Sequence, residues 1–202
     1  MKKNILGISI IAVLVAIFLI DQFYTPKQED TGPNEVDVTG DPSISGEALT
    51  APNQKLLQEG DKAPPFQLVN LQGDKATWDD FDTSVVVLNF WATWCKPCME
   101  EMPDLATLHN EYGEEAQVVA VNVTDTETSE EKVHQFVQDG SFPFAILLDK
   151  EASMYDSYSI INIPTTFFIR SEDQEIIKRV NGFMTYEQME EYTQSALDDM
   201  NE

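Results

Sequence analysis

The sequence predicts an α/β domain: a central mixed β-sheet flanked by helices, with an added N-terminal β-hairpin. Three observations carry that expectation. Short β-branched runs alternate with longer amphipathic stretches over residues 59–202, the change of period that separates buried strands from surface helices. Strand, helix, strand, helix, strand is followed by a hairpin-like pair and a last helix, an order that combines parallel crossovers with antiparallel pairing. The chain's two cysteines, Cys95 and Cys98, stand three positions apart just after the first buried strand.

Residues 66–71 and 75–77 flank Gln72-Gly73-Asp74 and read as the hairpin. Val85-Val86-Val87-Leu88-Asn89-Phe90 is short, β-branched and apolar on both faces, the pattern of a strand buried on both sides. Residues 96–112 are helical, with Met102, Leu105 and Leu108 on one side, and Pro103 predicts a kink because it lacks an N–H donor. A second buried strand covers 117–123. A helix follows over 129–139, opening at Ser129-Glu130-Glu131 and carrying Val133, Phe136 and Val137 as its apolar stripe. Residues 144–148 form a third strand, and a short helix lies around 151–158. The runs 165–170 and 175–180 bracket Ser171-Glu172-Asp173-Gln174 as an antiparallel hairpin, and a last helix spans 186–200. Right-handed crossovers bring the C-terminal end of strand 85–90 to the sheet edge where such folds place their chemistry. Cys95 falls just past that end.

Two segments precede the domain. Residues 1–24 contain Lys2 and Lys3, a nearly unbroken apolar run from Ile5 to Ile20, and then Phe23 and Tyr24. As a helix the run would cover roughly 24 Å, just short of a hydrocarbon core of about 30 Å. A cleaved secretory signal and an uncleaved signal-anchor compete for this segment. Asp21-Gln22-Phe23-Tyr24 lacks a small-x-small cleavage site, so the anchor is favoured, with the lysines on the cytoplasmic side. The remaining chain is expected outside the cytoplasm in either case, on a single-pass anchor in the cell membrane. Residues 25–58 are acidic, rich in Pro and Gly and poor in large apolar side chains, the composition of a flexible linker.

The formal net charge is −24, and residues 59–202 hold 29 Asp and Glu against 8 Lys and Arg, so the acid belongs mostly to the domain. A nucleic-acid partner is excluded, because phosphate binding needs a basic footprint. The charge suits a solvated surface facing a salty or alkaline exterior, and it also suits steering of a basic partner.

The cysteines carry the chemistry. Two sulfurs at this spacing can cycle between dithiol and disulfide, and the thiolate is the attacking species. At the start of a helix the first sulfur meets unpaired backbone N–H groups that stabilise negative charge. Cys95 is therefore the expected nucleophile, and Cys98, a turn further in and more shielded, the resolving cysteine. Lys96 adds positive charge, and Pro97, lacking an N–H, suits a first helical turn. A zinc site needs about four ligands, and only His109 and His134 could join the sulfurs; both read as surface residues. No metal is expected, nor any cofactor beyond the redox-active Cys95–Cys98 disulfide.

Pro164 opens an apolar strand, so it must sit at an edge or in an unusual bond. A cis Ile163–Pro164 peptide would turn the chain sharply and leave backbone groups free beside Cys95 for a client peptide. The other reading is an ordinary trans proline. Ile163, Pro164 and Thr165 are candidate substrate-binding residues on the first reading.

Trp91-Ala92-Thr93-Trp94-Cys95-Lys96-Pro97-Cys98 together with Ile163-Pro164-Thr165 resembles thioredoxin, over about residues 60–200. The opening stretch Gly60-Asp61-Lys62-Ala63-Pro64-Pro65-Phe66, the extra hairpin and the N-terminal anchor narrow the resemblance to the exported TlpA/ResA branch. It implies a thioredoxin-like fold and a thiol-disulfide oxidoreductase, with Trp94, Lys96 and Pro97 supporting the active site. Members of that branch exchange disulfides outside the cytoplasm, some keeping apocytochrome c cysteines reduced and others serving spore-envelope assembly. Thioredoxin has a buried aspartate six residues before its first active cysteine; Asn89 stands there instead. ResA-like proteins have a glutamate three residues after the second cysteine, which here is Glu101. On a helix Cys98 and Glu101 share a face, so the resemblance implies that Glu101 shuttles the proton of Cys98; the plainer alternative is one more surface acid beside Glu100.

The resemblance also leads one to expect Glu-Pro between the cysteines, where this chain has Lys-Pro. Lys96 favours the thiolate, and stabilising the reduced form makes a centre more oxidising, so both reaction directions stay open. Reduction of protein disulfides is the leading expectation, with apocytochrome c as leading client, a membrane electron donor of thiol-reductase type, and a monomeric protein. A disulfide-forming oxidant and a non-catalytic metal carrier or adaptor are the rivals. A peroxidase would need Pro-x-x-x-Thr-x-x-Cys around its cysteine, which is absent.

Overall fold

The computed structural model describes residues 56–199. The expected anchor and most of the expected linker lie outside the described residues. Among those described, no helix is long and apolar enough to cross a membrane.

Seven strands form one mixed sheet. In chain order they are β1 (Leu68–Asn70), β2 (Lys75–Ala76), β3 (Val85–Trp91), β4 (Ala116–Asn122), β5 (Ala145–Leu148), β6 (Thr165–Arg170) and β7 (Ile176–Asn181). The helices are α1 (Lys96–Tyr112), α2 (Glu130–Gly140), α3 (Ser153–Ser157) and α4 (Tyr186–Asp198). Across the sheet the order is β2-β1-β5-β4-β3-β6-β7. The neighbours β3 and β4, and β4 and β5, are parallel, as strand–helix–strand crossovers require. The other pairs are antiparallel. The N-terminal hairpin extends the sheet beside β5, through Val69 opposite Leu148.

Every residue of β3 is buried, including Asn89. A strand in the middle of a sheet, with helices on both faces, has no solvent side, which explains the apolar run with one polar exception. Phe90, Tyr158 and Phe167 meet at centroid distances of 5.5–6.1 Å. All three are fully buried, at roughly 1.5–3 kcal/mol for an apolar side chain of this size. The Tyr158 hydroxyl and Trp78 Nε1 both donate to the Pro64 carbonyl, tying the segment before β1 to the core. Arg179 holds the start of the described chain, donating from Nη1 to the Leu57 carbonyl at 3.0 Å.

Helix ends follow local chemistry. Thr185 caps α4 in a reciprocal box: its hydroxyl accepts from Gln188 N–H and its own N–H donates to Gln188 Oε1. Ser129 is the N-cap of α2, one residue before the helix, though its side chain makes no capping bond. Pro103 lies inside α1 without interrupting it, so the helix keeps one continuous span from Lys96 to Tyr112. His109 departs from its expected surface position: it is half-buried, and its Nδ1 accepts from Val118 N–H at 3.2 Å. β4 reaches its β5 pairing only at Val119, so His109 satisfies an N–H that no strand neighbour takes.

Candidate active site

The end of β3, the start of α1 and the start of β6 meet at one edge of the sheet. β3 and β6 run antiparallel with Phe90 opposite Thr165. The residues just after β3 and just before β6 therefore share that edge, bringing the Cys95 loop and the Ile163–Pro164 segment together although 68 positions separate Cys95 from Ile163 in the chain.

Cys95 is the N-cap of α1, extended at φ −84° and ψ 99°, and its Sγ accepts from Cys98 N–H at 3.3 Å. Met99 N–H donates to the Cys95 carbonyl at 3.1 Å. Pro97 occupies the first turn, where a missing N–H costs nothing. The two cysteines are joined in a disulfide. They are unequal in access: Cys95 is 5% exposed and Cys98 fully buried. Of the two, Cys95 is the more accessible from solvent.

Lys96 is largely exposed, and its Nζ lies 3.4 Å from the Glu100 carboxylate one turn along. Glu100 thus offsets part of the positive charge expected to act on the sulfurs. Trp94 is 57% exposed, held by its Nε1–H, which donates to the Thr126 hydroxyl at 3.0 Å.

The Ile163–Pro164 bond is cis. Pro164 is buried, its carbonyl accepts from Gly182 N–H at 2.8 Å, and the Thr165 hydroxyl donates to the Asn162 carbonyl at 2.7 Å. The segment is thereby fastened to the loop after β7. That loop also carries Phe183, 47% exposed, the one large apolar side chain besides Trp94 left to solvent among the described residues.

Glu101 is not a surface acid. It is fully buried on α1, three residues after Cys98. Asn89 Nδ2 donates to its Oε1 at 2.7 Å, and Met184 N–H donates to its Oε2 at 3.3 Å. Burial raises its pKa from 4.5 to about 7; the two donors pull against that rise, and Asp104 adds to it. A carboxyl in that range both accepts and releases a proton near neutrality. The same Asn89 amide donates to the Thr166 hydroxyl at 3.0 Å, so it spans from β6 to α1.

Asn89, Thr166, Met184 and Glu127 belong to this constellation and carry no role in the sequence reading. Asn89 alone leaves a signal, a polar residue inside a run buried on both faces. Met184 acts through its backbone, and Glu127, whose carboxylate contacts the Thr93 turn, looks like one acid among many. Among the described residues, no group of three or more His, Cys, Asp or Glu is arranged to hold a metal ion. His134 is exposed and pairs with Glu130 at 3.6 Å.

The family model described as AhpC/TSA family matches residues 59–179. The chain is 41% identical over 136 residues to the thioredoxin-like protein YneN of Bacillus subtilis, covering 67% of this chain and 78% of that protein. It is 35% identical over 140 residues to the thiol-disulfide oxidoreductase ResA of Bacillus thuringiensis subsp. konkukian, covering 69% of this chain and 79% of that one. The crystal structure of StoA from Bacillus subtilis superposes with a TM-score of 0.57 at 29% identity, over 65% of this chain and 97% of that chain.

Proposed function

The chain belongs to the AhpC/TSA family, and on that premise we propose that it is an extracytoplasmic thiol-disulfide oxidoreductase that reduces disulfides in client proteins. The observation that carries the reading is the Cys95–Cys98 disulfide at the N-terminus of α1, with the outer residue the more accessible and the inner one buried three residues before the buried Glu101 on the same helix.

In the reduced protein the Cys95 thiolate attacks one sulfur of the client disulfide. A Cys95–client bond forms, the client S–S bond breaks, and the departing client thiolate takes a proton. Glu101 then takes the proton of the Cys98 thiol, and the Cys98 thiolate attacks Cys95 Sγ. The mixed disulfide breaks and the second client sulfur leaves, protonated in its turn. The client gains two electrons and two protons, and Cys95–Cys98 returns to the disulfide. Cys98 has little room to react with anything but Cys95, which favours resolution over side reactions. Of the segment Ile163, Pro164 and Thr165, Ile163 is the partly exposed member, and an extended client segment would lie alongside it, since the Pro164 carbonyl is taken by Gly182 N–H and Thr165 is buried in β6.

A reductant outside the cytoplasm needs recharging by a membrane electron donor, since its surroundings are oxidising. The apolar run over residues 5–20 supports a membrane tether for the domain. Apocytochrome c remains the leading client, supported by the resemblance to ResA rather than by any feature of the site. Lys96 favours the opposite direction, as a disulfide-forming oxidant, but its pairing with Glu100 weakens that pull.

The reduction potential of the Cys95/Cys98 pair, measured on the full-length protein in detergent against glutathione and dithiothreitol buffers, tests the direction. A value near about −270 mV, as in thioredoxin, supports the reductant; one near about −120 mV, as in DsbA, replaces it with the oxidant.

A further inference from the structure

The segment joining β4 to α2 meets the Cys95 loop at Glu127. One oxygen of its carboxylate, Oε1, accepts from Thr93 N–H at 2.6 Å and from Asn122 Nδ2 at 2.9 Å. The other, Oε2, accepts from the Thr93 hydroxyl at 2.5 Å. All three donors are neutral and the acceptor is charged, the class of hydrogen bond that is short and strong. Two of the three bonds go to one residue, so they fix the orientation of Thr93 as well as its position.

What this grip holds is the turn that presents the outer sulfur. Cys95 N–H donates to the Ala92 carbonyl at 3.2 Å, closing a turn over residues 92–95 with Thr93 and Trp94 at its tip. The grip is itself anchored. Asn122, fully buried at the end of β4, receives the Thr124 hydroxyl on its Oδ1 at 3.0 Å. Thr126, next to Glu127, accepts from Trp94 Nε1–H and donates its hydroxyl to the Val123 carbonyl at 2.8 Å. The turn is therefore fastened at Thr93 and at Trp94 to one rigid corner of β4, with Glu127 34 positions from Thr93 in the chain.

We propose that Glu127 is a positioning residue of the redox centre: by gripping Thr93 it holds the turn 92–95 in the geometry from which Cys95 Sγ attacks. The inference rests on Cys95 being the attacking sulfur. Glu127 also sets a negative charge beside a residue only two positions from Cys95, where it opposes the thiolate that the N-terminus of α1 favours. Stabilising the thiol against the thiolate works toward the reducing side.

Glu127→Ala removes both the grip and the charge. Glu127→Gln removes the charge and keeps the grip, since Oε1 still accepts from Thr93 N–H and Nε2 can donate to the Thr93 hydroxyl. With the full-length reduced protein in detergent, the readouts are the rate of disulfide-peptide reduction, Trp94 emission, the reduction potential, and site-resolved iodoacetamide labelling. The Ala variant is expected to lose about tenfold to a hundredfold in rate, with altered Trp94 emission. The Gln variant is expected to recover most of that rate and to shift about tenfold toward the oxidising side in its equilibrium with glutathione, about 30 mV. An Ala variant with the wild-type rate and emission overturns the proposal. So does a Gln variant as slow as the Ala variant at an unchanged melting temperature, because the grip would then not be what matters. Should the Ala variant not fold, Thr93→Val removes only the hydroxyl bond; a wild-type rate there also overturns the proposal. Labelling of Cys98 in place of Cys95 in the wild-type protein would refute the attacking role itself, whatever the Glu127 variants do.

Discussion

Asn89 and Glu101 meet 2.7 Å apart inside the domain, an amide N–H donating to a carboxyl that has no exposure to water. The first lies on β3 and the second on α1, so the bond joins the strand that leads to the redox loop with the helix that carries Cys98 and is capped by Cys95. Because the strand member is an amide, Glu101 is the titrating member of the pair.

Glu101→Gln separates two consequences of that arrangement. The Glu101 carboxyl is raised from 4.5 to about 7, so the folded protein holds a proton that the unfolded chain releases. Stability from this group is complete below about pH 4.5 and is lost as pH rises through about 7. At pH 8 the loss is on the order of 3 kcal/mol for a shift of this size. A glutamine at this position does not ionise, so the variant is expected to be more stable than the wild type at pH 8 and equal to it near pH 4. The gain falls short of the full figure because the glutamine Nε2 cannot accept from Met184 N–H, as the Glu101 Oε2 does now. Urea unfolding at the two pH values checks the sign. The same variant should reduce disulfides more slowly and without the inflection near neutrality; an unchanged pH–rate profile would leave Glu101 a structural residue only.

Cys98→Ser tests the division of labour between the sulfurs. Cys95 is the outer of the two and Cys98 is sealed beneath it, so removing Cys98 leaves the attack intact and blocks its resolution. The variant is expected to accumulate a mixed disulfide with client protein through Cys95, seen as a gel species that collapses on adding dithiothreitol. If Cys95→Ser is the variant that traps, the roles are reversed.

What can be read in the sequence is whatever depends on neighbours along the chain. The period of 85–90 marks a buried strand, the i, i+3 spacing places Glu101 beside Cys98, and Pro97 marks the first turn of a helix. Contacts between distant segments have no such signature. Nothing in the chain links Glu101 to a backbone N–H 83 positions later, or singles out Glu127 among the many acids. Asn89 illustrates the boundary: its residue type stands out in an apolar run, but its two partners, on α1 and β6, depend on how the helix packs over the sheet. His109 escapes a correct placement for the same reason, since an amphipathic reading of α1 cannot know that the β4–β5 pairing begins one residue after Val118.

That histidine gives the last prediction. Val118 is buried, and its N–H depends on His109 Nδ1 as acceptor. A protonated imidazole carries hydrogens on both nitrogens and can no longer accept. Burial lowers the His109 pKa below the usual histidine value of 6.5, so the unfolded chain takes up the proton first as the solution is acidified. The contribution is therefore neutral above about pH 7 and turns unfavourable as pH falls through about 6.5. Glu101 works in the opposite sense over part of the same range, so the wild-type curve alone would mix the two. Comparison with His109→Gln separates them, because a glutamine oxygen can accept from Val118 N–H at any pH and Glu101 is present in both proteins. The wild type is expected to lose about 1 kcal/mol relative to the variant between about pH 7.5 and pH 5, the scale of one buried N–H left without its partner. Parallel urea midpoints over that interval would show that His109 does not titrate against Val118. A widening gap on the acid side would fix it as the point where α1 is fastened to β4.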